Sequence, residues 1–214
     1  MAEPKVCVSL EAITVEEMID EATRANIAGA DYVEVRFDKL YLNKPEPITM
    51  VNDDGEEYSK MPPIEEWGVK DFEEIDVEQA IANLKEGIPV PVVFTARAVR
   101  EGGFFAGTEQ ERLQILEQGI KSEVSFVDLE LSIEKKSRDK LVKLASSSNC
   151  QVIASIHETK ATPSAEEIVT MVKDNSSQGD IIKFCSTVSN HQDALQIFQA
   201  CLLYTSDAAD ERQS

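Results

Sequence analysis

The stretch Gly179-Asp-Ile-Ile-Lys-Phe-Cys-Ser186 has the pattern of a short buried strand that carries one charge. Because side chains alternate along a strand, Lys183 is predicted to share a face with Ile181 and Cys185. An ammonium on such a face needs either a partner or a lowered pKa, and a lysine with a lowered pKa attacks carbonyl groups. The alternative is a lysine at a strand end, with its stem buried and its head in water.

Outward from this strand, short apolar segments alternate with segments of helical periodicity. The other strands are predicted at 6–10, 32–37, 91–97, 125–131 and 151–157, and the helices at 14–29, 76–86, 108–120, 134–147, 164–172 and 190–202. Such alternation is typical of a parallel sheet with right-handed crossovers. Since no glycine-rich phosphate loop follows any strand, a nucleotide-binding sheet is disfavoured. The predicted fold class is α/β, a (β/α)8 TIM barrel of which about six βα units are readable.

Each predicted strand has one apolar face and one face that becomes polar toward its C-terminal end. In a barrel these polar faces converge at the C-terminal mouth, where barrel enzymes carry their active sites. The alternative is an antiparallel sheet with one solvated face, which the intervening helices disfavour. The converging set is Ser9, Glu34, Arg36, Thr95, Arg97, Asp128, Glu130, Ser155, His157 and Lys183.

Composition narrows the possible partners. The chain has 214 residues, 42% of them hydrophobic, and a formal net charge of −19. Such a surface repels phosphate backbones, so nucleic acid is not expected as a partner. The sequence shows neither an apolar signal core nor a stretch that could cross a bilayer, which predicts a cytoplasmic protein without a membrane partner. Four cysteines without CxxC spacing predict reduced thiols and no metal site: Cys7, Cys150, Cys185 and Cys201.

The polar set suggests a particular chemistry. Arg36 and Arg97 suit an anionic, oxygen-rich substrate, since a guanidinium binds carboxylate in a bidentate fork. They would also depress the pKa of Lys183 by like-charge repulsion. Lys183 could condense with a ketone, and His157 could take the proton that the resulting iminium acidifies. No metal or organic cofactor is needed, because the protonated imine is the electron sink.

Four short motifs in this order, each at a predicted strand end, resemble the type I 3-dehydroquinate dehydratases from Val6 to about Ala200. They are Glu34-Val-Arg36; Thr95-Ala-Arg97 with Glu101-Gly-Gly103; Ser155-Ile-His157 with Thr162-Pro163; and Asp180-Ile-Ile-Lys183. The resemblance implies a homodimeric (β/α)8 barrel without metal. It implies syn dehydration of 3-dehydroquinate to 3-dehydroshikimate, in the shikimate route to aromatic amino acids.

The resemblance also implies roles for single residues. Lys183 matches the Schiff-base lysine, His157 the general acid/base, and Glu101 a carboxylate that orients the histidine. Four positions match substrate-binding residues: Ser9, Glu34, Arg36 and Arg97. Several alternatives stay open. His157 could be a structural histidine, and Glu34 and Arg36 could pair with each other or with Arg97 and Glu130. The whole chain could be a class I Schiff-base aldolase, or a non-catalytic fragment that binds a partner through an acidic segment.

Two features depart from the family pattern. An acidic segment near residues 41–75 is expected to be a surface excursion from a single barrel domain over residues 1–200. Residues 201–214 have no barrel-like pattern and resemble translated sequencing adapter. Because a barrel needs eight βα units, the sequence is expected to be truncated at its C-terminal end. A truncated barrel would be poorly soluble or inactive alone.

Overall fold

A computed structural model describes residues 4–210. They fall into two compact units that divide between Ser122 and Glu123. The first unit contains β1 (Cys7–Ser9), α1 (Val15–Ile27), β2 (Tyr32–Arg36), β3 (Leu42–Asn43), β4 (Ile48–Val51), β5 (Glu57–Lys60), β6 (Gly68–Val69), α2 (Val77–Gly87), β7 (Val92–Thr95) and α3 (Glu109–Lys121). The second contains β8 (Phe126–Glu130), α4 (Lys135–Ser147), β9 (Gln151–Glu158), α5 (Ala165–Asp174), β10 (Ile181–Ser186) and α6 (His191–Asp210).

In the first unit β1, β2 and β7 pair in parallel, with Ser9 opposite Glu34 and Arg36 opposite Thr95. The apolar side chains of β2 are fully buried, as is Met18 of α1. The helices α1, α2 and α3 add further buried residues to this core. Along the chain a helix comes after each of the parallel strands β1, β2 and β7, with β3–β6 lying between β2 and α2. Burial of these apolar faces is the main stabilising contribution, at about 25 cal/mol per Å².

In the second unit β8, β9 and β10 also pair in parallel. Val127, Leu129 and Ala154 have no exposed surface, and the buried side chains of α4 and α5 belong to the same unit. The parallel pairing in both units contradicts the antiparallel alternative. It confirms the predicted α/β class, because helical crossovers connect the parallel strands.

The predicted helix starts are confirmed by their capping bonds. The hydroxyl of Thr14 accepts the N–H of Glu17, as the sequence pattern indicates. The start of α3 has the full reciprocal box. The hydroxyl of Thr108 accepts the N–H of Glu111 at 3.3 Å, and the Glu111 carboxylate accepts the N–H of Thr108 at 2.6 Å. The pKa of the Glu111 carboxyl is lowered mainly by the hydrogen bond from the Thr108 hydroxyl and, to a smaller extent, by the one from the Thr108 N–H.

Replacing Thr108 with alanine is expected to lower the free energy of unfolding by about 1 kcal/mol, because one N–H at the start of α3 loses its acceptor. The difference should be largest above about pH 4. The folded-state pKa of Glu111 is lowered, so its contribution is lost as pH falls through that value. Urea unfolding at pH 7 and pH 3 measures this. Thr23→Ala is the control, since the Thr23 hydroxyl bonds within a helix, to the carbonyl of Ile19. Equal losses in both variants would contradict the prediction.

The acidic segment near 41–75 contains more regular secondary structure than its sequence pattern predicts. It contains an antiparallel hairpin of β4 and β5, whose residues are all exposed. Asn52 closes the turn, because its side-chain carbonyl accepts the N–H groups of Asp54 and Glu56. The base of the segment is fixed by β3 pairing with β6, and by Lys70, which donates to the carbonyl of Leu40 at 2.7 Å.

The last described helix, α6, extends to Asp210. It includes the first part of the predicted tail at 201–214, and residues 211–214 of that tail lie outside the described residues. Within residues 4–210, no helix has the length and apolar character that crossing a membrane requires.

Candidate active site

The predicted site residues of the first unit gather around the carboxylate of Glu34, on β2. Glu34 is only 7% exposed. It accepts a hydrogen bond from Ser9 of β1 at 2.9 Å and from Thr95 of β7 at 2.9 Å, and Arg97 approaches it at 3.5 Å. The parallel register places these groups at the same level, since Ser9 and Glu34 are direct neighbours. Three predicted residues therefore meet in one polar cluster, in which Glu34 and Arg97 are buried and Ser9 is exposed.

Arg36, the next inward residue of β2, has a different partner. Its Nε and Nη2 atoms donate to the two carboxylate oxygens of Asp38 at 2.9 and 2.7 Å. Burial lowers the pKa of the Arg36 guanidinium, but the hydrogen bonds and charge of Asp38 outweigh it and raise the pKa overall. Of the pairings left open by the sequence, Glu34 with Arg97 is present and the partner of Arg36 is Asp38.

Glu101 lies on the turn that follows β7. It is the last residue of a short 3-10 helix, Val99–Glu101, and is partly exposed. The turn returns tightly to the end of β7: Gly103 donates to the carbonyl of Ala98, and Phe105 to that of Arg97. A Cβ atom on Gly103 would lie 2.2 Å from the Arg97 carbonyl oxygen, so only glycine fits there.

In the second unit, the three strands align a row of polar residues. Ser155 of β9 is the direct neighbour of Glu130 on β8 and of Lys183 on β10. Glu130 and Ser155 are each 1% exposed. Lys183 reaches past this row and donates to Asp128 at 3.1 Å. The Asp128 side chain is fully buried, whereas that of Lys183 is 28% exposed.

The environment of Lys183 lies between the two predicted alternatives, a buried lysine with a partner and a lysine with its head in water. The lysine has a carboxylate partner, and its head is neither fully buried nor fully in water. The amine is held by its hydrogen bond to the Asp128 carboxylate, and it must be unprotonated when it attacks a carbonyl. The ion pair with a buried carboxylate also restricts the amine to one position. A lysine whose head is in water would be free to move among many positions.

His157 lies on the same side of the sheet as Lys183. Its direct neighbour on β10 is Cys185, two residues beyond Lys183, and the pairing continues without interruption to Ser186. Because alternate residues of a strand face the same way, the two side chains project from one face of adjacent strands. His157 is partly buried. The predicted lysine and histidine are therefore neighbours in this unit, and the prediction that both units supply one mouth stays a prediction.

The sequence alone assigns no role to two residues of these clusters, Asp38 and Asp128. Asp38 could have been noticed because it lies two positions after Arg36, but it belongs to a short 3-10 helix, Phe37–Tyr41, and not to a strand. Asp128 belonged to the predicted polar set, although its pairing with Lys183 depends on a diagonal reach that register alone does not give. Among the described residues, no group of three or more His, Cys, Asp or Glu side chains is arranged to hold a metal ion.

Comparison with known proteins identifies the family. A family model described as type I 3-dehydroquinase matches residues 6–208. The 3-dehydroquinate dehydratase of Methanocaldococcus jannaschii is 32% identical over 151 residues, which cover 70% of this chain and 66% of that protein. The enzyme of the same name from Methanopyrus kandleri is 29% identical over 195 residues, covering 91% of this chain and 72% of that protein. The chain thus spans about two thirds of the length of these relatives.

Solved structures agree at the level of the fold. A type I 3-dehydroquinate dehydratase from Clostridium difficile, with covalently modified comenic acid, matches with a TM-score of 0.69 at 24% identity, over 94% of this chain and 69% of that one. The Enterococcus faecalis 3-dehydroquinate dehydratase matches with a TM-score of 0.70 at 24% identity, over 94% of this chain and 73% of that one.

These matches confirm the predicted α/β barrel fold and the predicted family. The curated relatives are named as dehydratases, which are lyases that eliminate water. The match to the family model covers nearly the whole chain and includes all four sequence motifs described above. The chain belongs to the type I 3-dehydroquinase family.

Proposed function

We propose that this protein is a 3-dehydroquinate dehydratase that eliminates water from 3-dehydroquinate through a Schiff base on Lys183. One observation supports the proposal most. Lys183 is held by Asp128 on the face that also carries His157, in a chain that matches the type I 3-dehydroquinase model over residues 6–208. A fixed amine beside an imidazole is the pair of groups that iminium chemistry requires.

The proposed reaction begins when the Lys183 amine, after losing its proton, adds to the ketone carbon of the substrate. The carbinolamine that forms then loses water and becomes a protonated imine. The cationic nitrogen withdraws electrons from the neighbouring carbon, so that its C–H bond becomes acidic. His157 takes this proton, and the enamine expels the β-hydroxyl group, which leaves as water after protonation. Hydrolysis of the product imine returns the free amine and releases 3-dehydroshikimate.

The remaining predicted residues are proposed to bind and orient. Glu101 would orient His157. Arg36 and Arg97 would bind oxygen atoms of the anionic substrate, with Ser9 and Glu34 taking its hydroxyl groups. The geometry of the first unit supports these roles, because Glu34 is already held by donors from both neighbouring strands and needs no rearrangement to accept or orient a hydroxyl. A rigid polar cluster contributes to catalysis by fixing the substrate before reaction.

The proposed function also suggests a cellular setting. A substrate that is a small anion fits a cytoplasmic biosynthetic enzyme, and we place the protein there as a homodimer, as the family resemblance implies. The net charge of −19 makes binding to nucleic acid or to an anionic membrane surface unfavourable.

Borohydride trapping tests the proposed function. The protein is incubated with 3-dehydroquinate, reduced, digested and mapped by mass spectrometry. An adduct on Lys183 together with formation of the conjugated enone product is expected. An adduct that forms only with sugar phosphates would assign the chain to the class I aldolases. The absence of any adduct, in protein that unfolds cooperatively, would overturn the proposal in favour of a non-catalytic fragment.

A further inference from the structure

A network of charged residues in the first unit joins the segments that follow three different strands, β1, β2 and β7. The Asp38 carboxylate, which is fully buried, accepts the fork of Arg36 and also the backbone N–H of Phe104 at 3.0 Å. Phe104 lies three residues after Glu101, on the turn after β7. Lys39, 2% exposed, pairs with Glu11, which follows β1. One anion therefore connects the end of β2 to the turn that carries Glu101.

The aromatic ring of Phe104 strengthens this connection. The guanidinium carbon of Arg36 and the amine of Lys39 each lie 5.7 Å from the centre of the ring. Cations at this distance are attracted by the face of an aromatic ring. Phe104 thus fixes the turn in two ways. Its backbone N–H bonds to Asp38, and its ring contacts the buried cations Arg36 and Lys39.

The bonding leaves one end of Arg36 available. Asp38 uses Nε and Nη2, and within residues 4–210 the third nitrogen, Nη1, donates to no other group. Since the two bonds lie in one plane, they fix the direction in which Nη1 points. A carboxylate with two oxygens can satisfy this fork and a backbone N–H together, which an amide with one acceptor oxygen cannot do.

We propose that Asp38 is a positioning residue of the dehydratase, which sets the direction of Arg36 toward the substrate and the position of the turn that carries Glu101. This inference rests on the proposed function, since it concerns two residues that are given roles there. The requirement is geometric as well as electrostatic. A group that only neutralised Arg36 would not need to reach the Phe104 N–H.

The test separates geometry from charge. Asp38→Glu keeps the anion but moves it by one methylene, so that it cannot meet both the fork and the N–H. We expect kcat to fall on the order of 100-fold, the cost of a misplaced catalytic group, and KM to rise as Arg36 loses its direction. Asp38→Asn keeps only one acceptor and should lose at least as much. Asp76→Asn is the matched control, because the Asp76 side chain caps α2 and asparagine caps equally well.

A second variant changes the turn without touching a charge. Gly103→Ala introduces a Cβ atom 2.2 Å from the Arg97 carbonyl oxygen and must displace the turn. It should lower kcat by a similar factor, and KM should also rise, because the clash involves Arg97, which is proposed to bind the substrate. Combined with Asp38→Glu, it should lower kcat little further, because both changes act on the same turn.

The outcomes distinguish the two proposals. If the unaltered protein neither turns over 3-dehydroquinate nor traps it on Lys183, the proposed function fails. If the unaltered protein is active and folded Asp38→Glu keeps kcat and KM within about twofold of it, the positioning role fails alone. Additive losses in the double variant would also overturn it. If the Asp38 variants do not fold, an unchanged kcat in folded Gly103→Ala overturns the inference, and a loss of kcat in the folded variant supports it.

Discussion

Replacing Lys183 with methionine is expected to abolish both turnover of 3-dehydroquinate and borohydride trapping. Methionine has a similar length but no amine, so it cannot form the imine that acidifies the substrate C–H bond. Loss of a covalent nucleophile reduces kcat on the order of 10⁴-fold or more. The rate of enone formation and the mass of the tryptic peptide that contains position 183 measure the two effects independently.

The main complication is stability, because the change leaves the buried carboxylate of Asp128 without this partner. Loss of one partner of a buried charged group costs about 1–3 kcal/mol. The double variant Lys183→Met/Asp128→Asn removes the charge as well and should recover stability without recovering activity. Lys140→Met, on the exposed face of α4, is the control and should match the unaltered protein. A folded Lys183→Met protein with normal kcat would contradict the Schiff-base mechanism.

The order of the elements could be predicted because local signals and burial agree along most of the chain. The predicted strand at 181–185 and helix at 108–120 are observed as Ile181–Ser186 and Glu109–Lys121. The predicted burial of that strand is wrong, because Ile181 is exposed and the other residues of β10 are only partly buried. In both cases a residue typical of a turn or a helix cap, Gly179 or Thr108, comes just before the hydrophobic pattern of the element begins. The hairpin at 48–60 could not be predicted by the same reasoning. Its strands are exposed on both faces, so no apolar alternation marks them.

The site was predictable only to the level of which residues are polar on a buried face. Alternation placed Glu34 and Arg36 on one side of β2, but their partners depend on the three-dimensional structure. Glu34 is met by side chains of both neighbouring strands, whereas Arg36 turns to Asp38 in the 3-10 helix that follows. The partner of Lys183 illustrates the same limit, because a long side chain can reach a residue that is not its direct neighbour in the sheet.

Replacing His157 with asparagine is expected to lower kcat by 10²- to 10⁴-fold, roughly the contribution of a general acid or base, while the imine on Lys183 can still form. Asparagine is close in size and keeps a polar group, so the partly buried position on β9 should tolerate it. The decisive measurement is a single-turnover trapping series. Adduct that still contains the substrate hydroxyl should accumulate first, and its conversion to the dehydrated adduct should be slowed by the same factor as kcat.

The chain contains one other histidine, His191, which gives a matched control. His191 is exposed at the start of α6, and His191→Asn should change neither the rate nor the order in which the adducts appear. If His157→Asn dehydrated the trapped substrate as fast as the unaltered protein, another group would have to take the proton. His157 would then be a structural residue of β9, and the general base would have to be sought among the carboxylates that share the inward face of this unit with Lys183: Asp128 and Glu130.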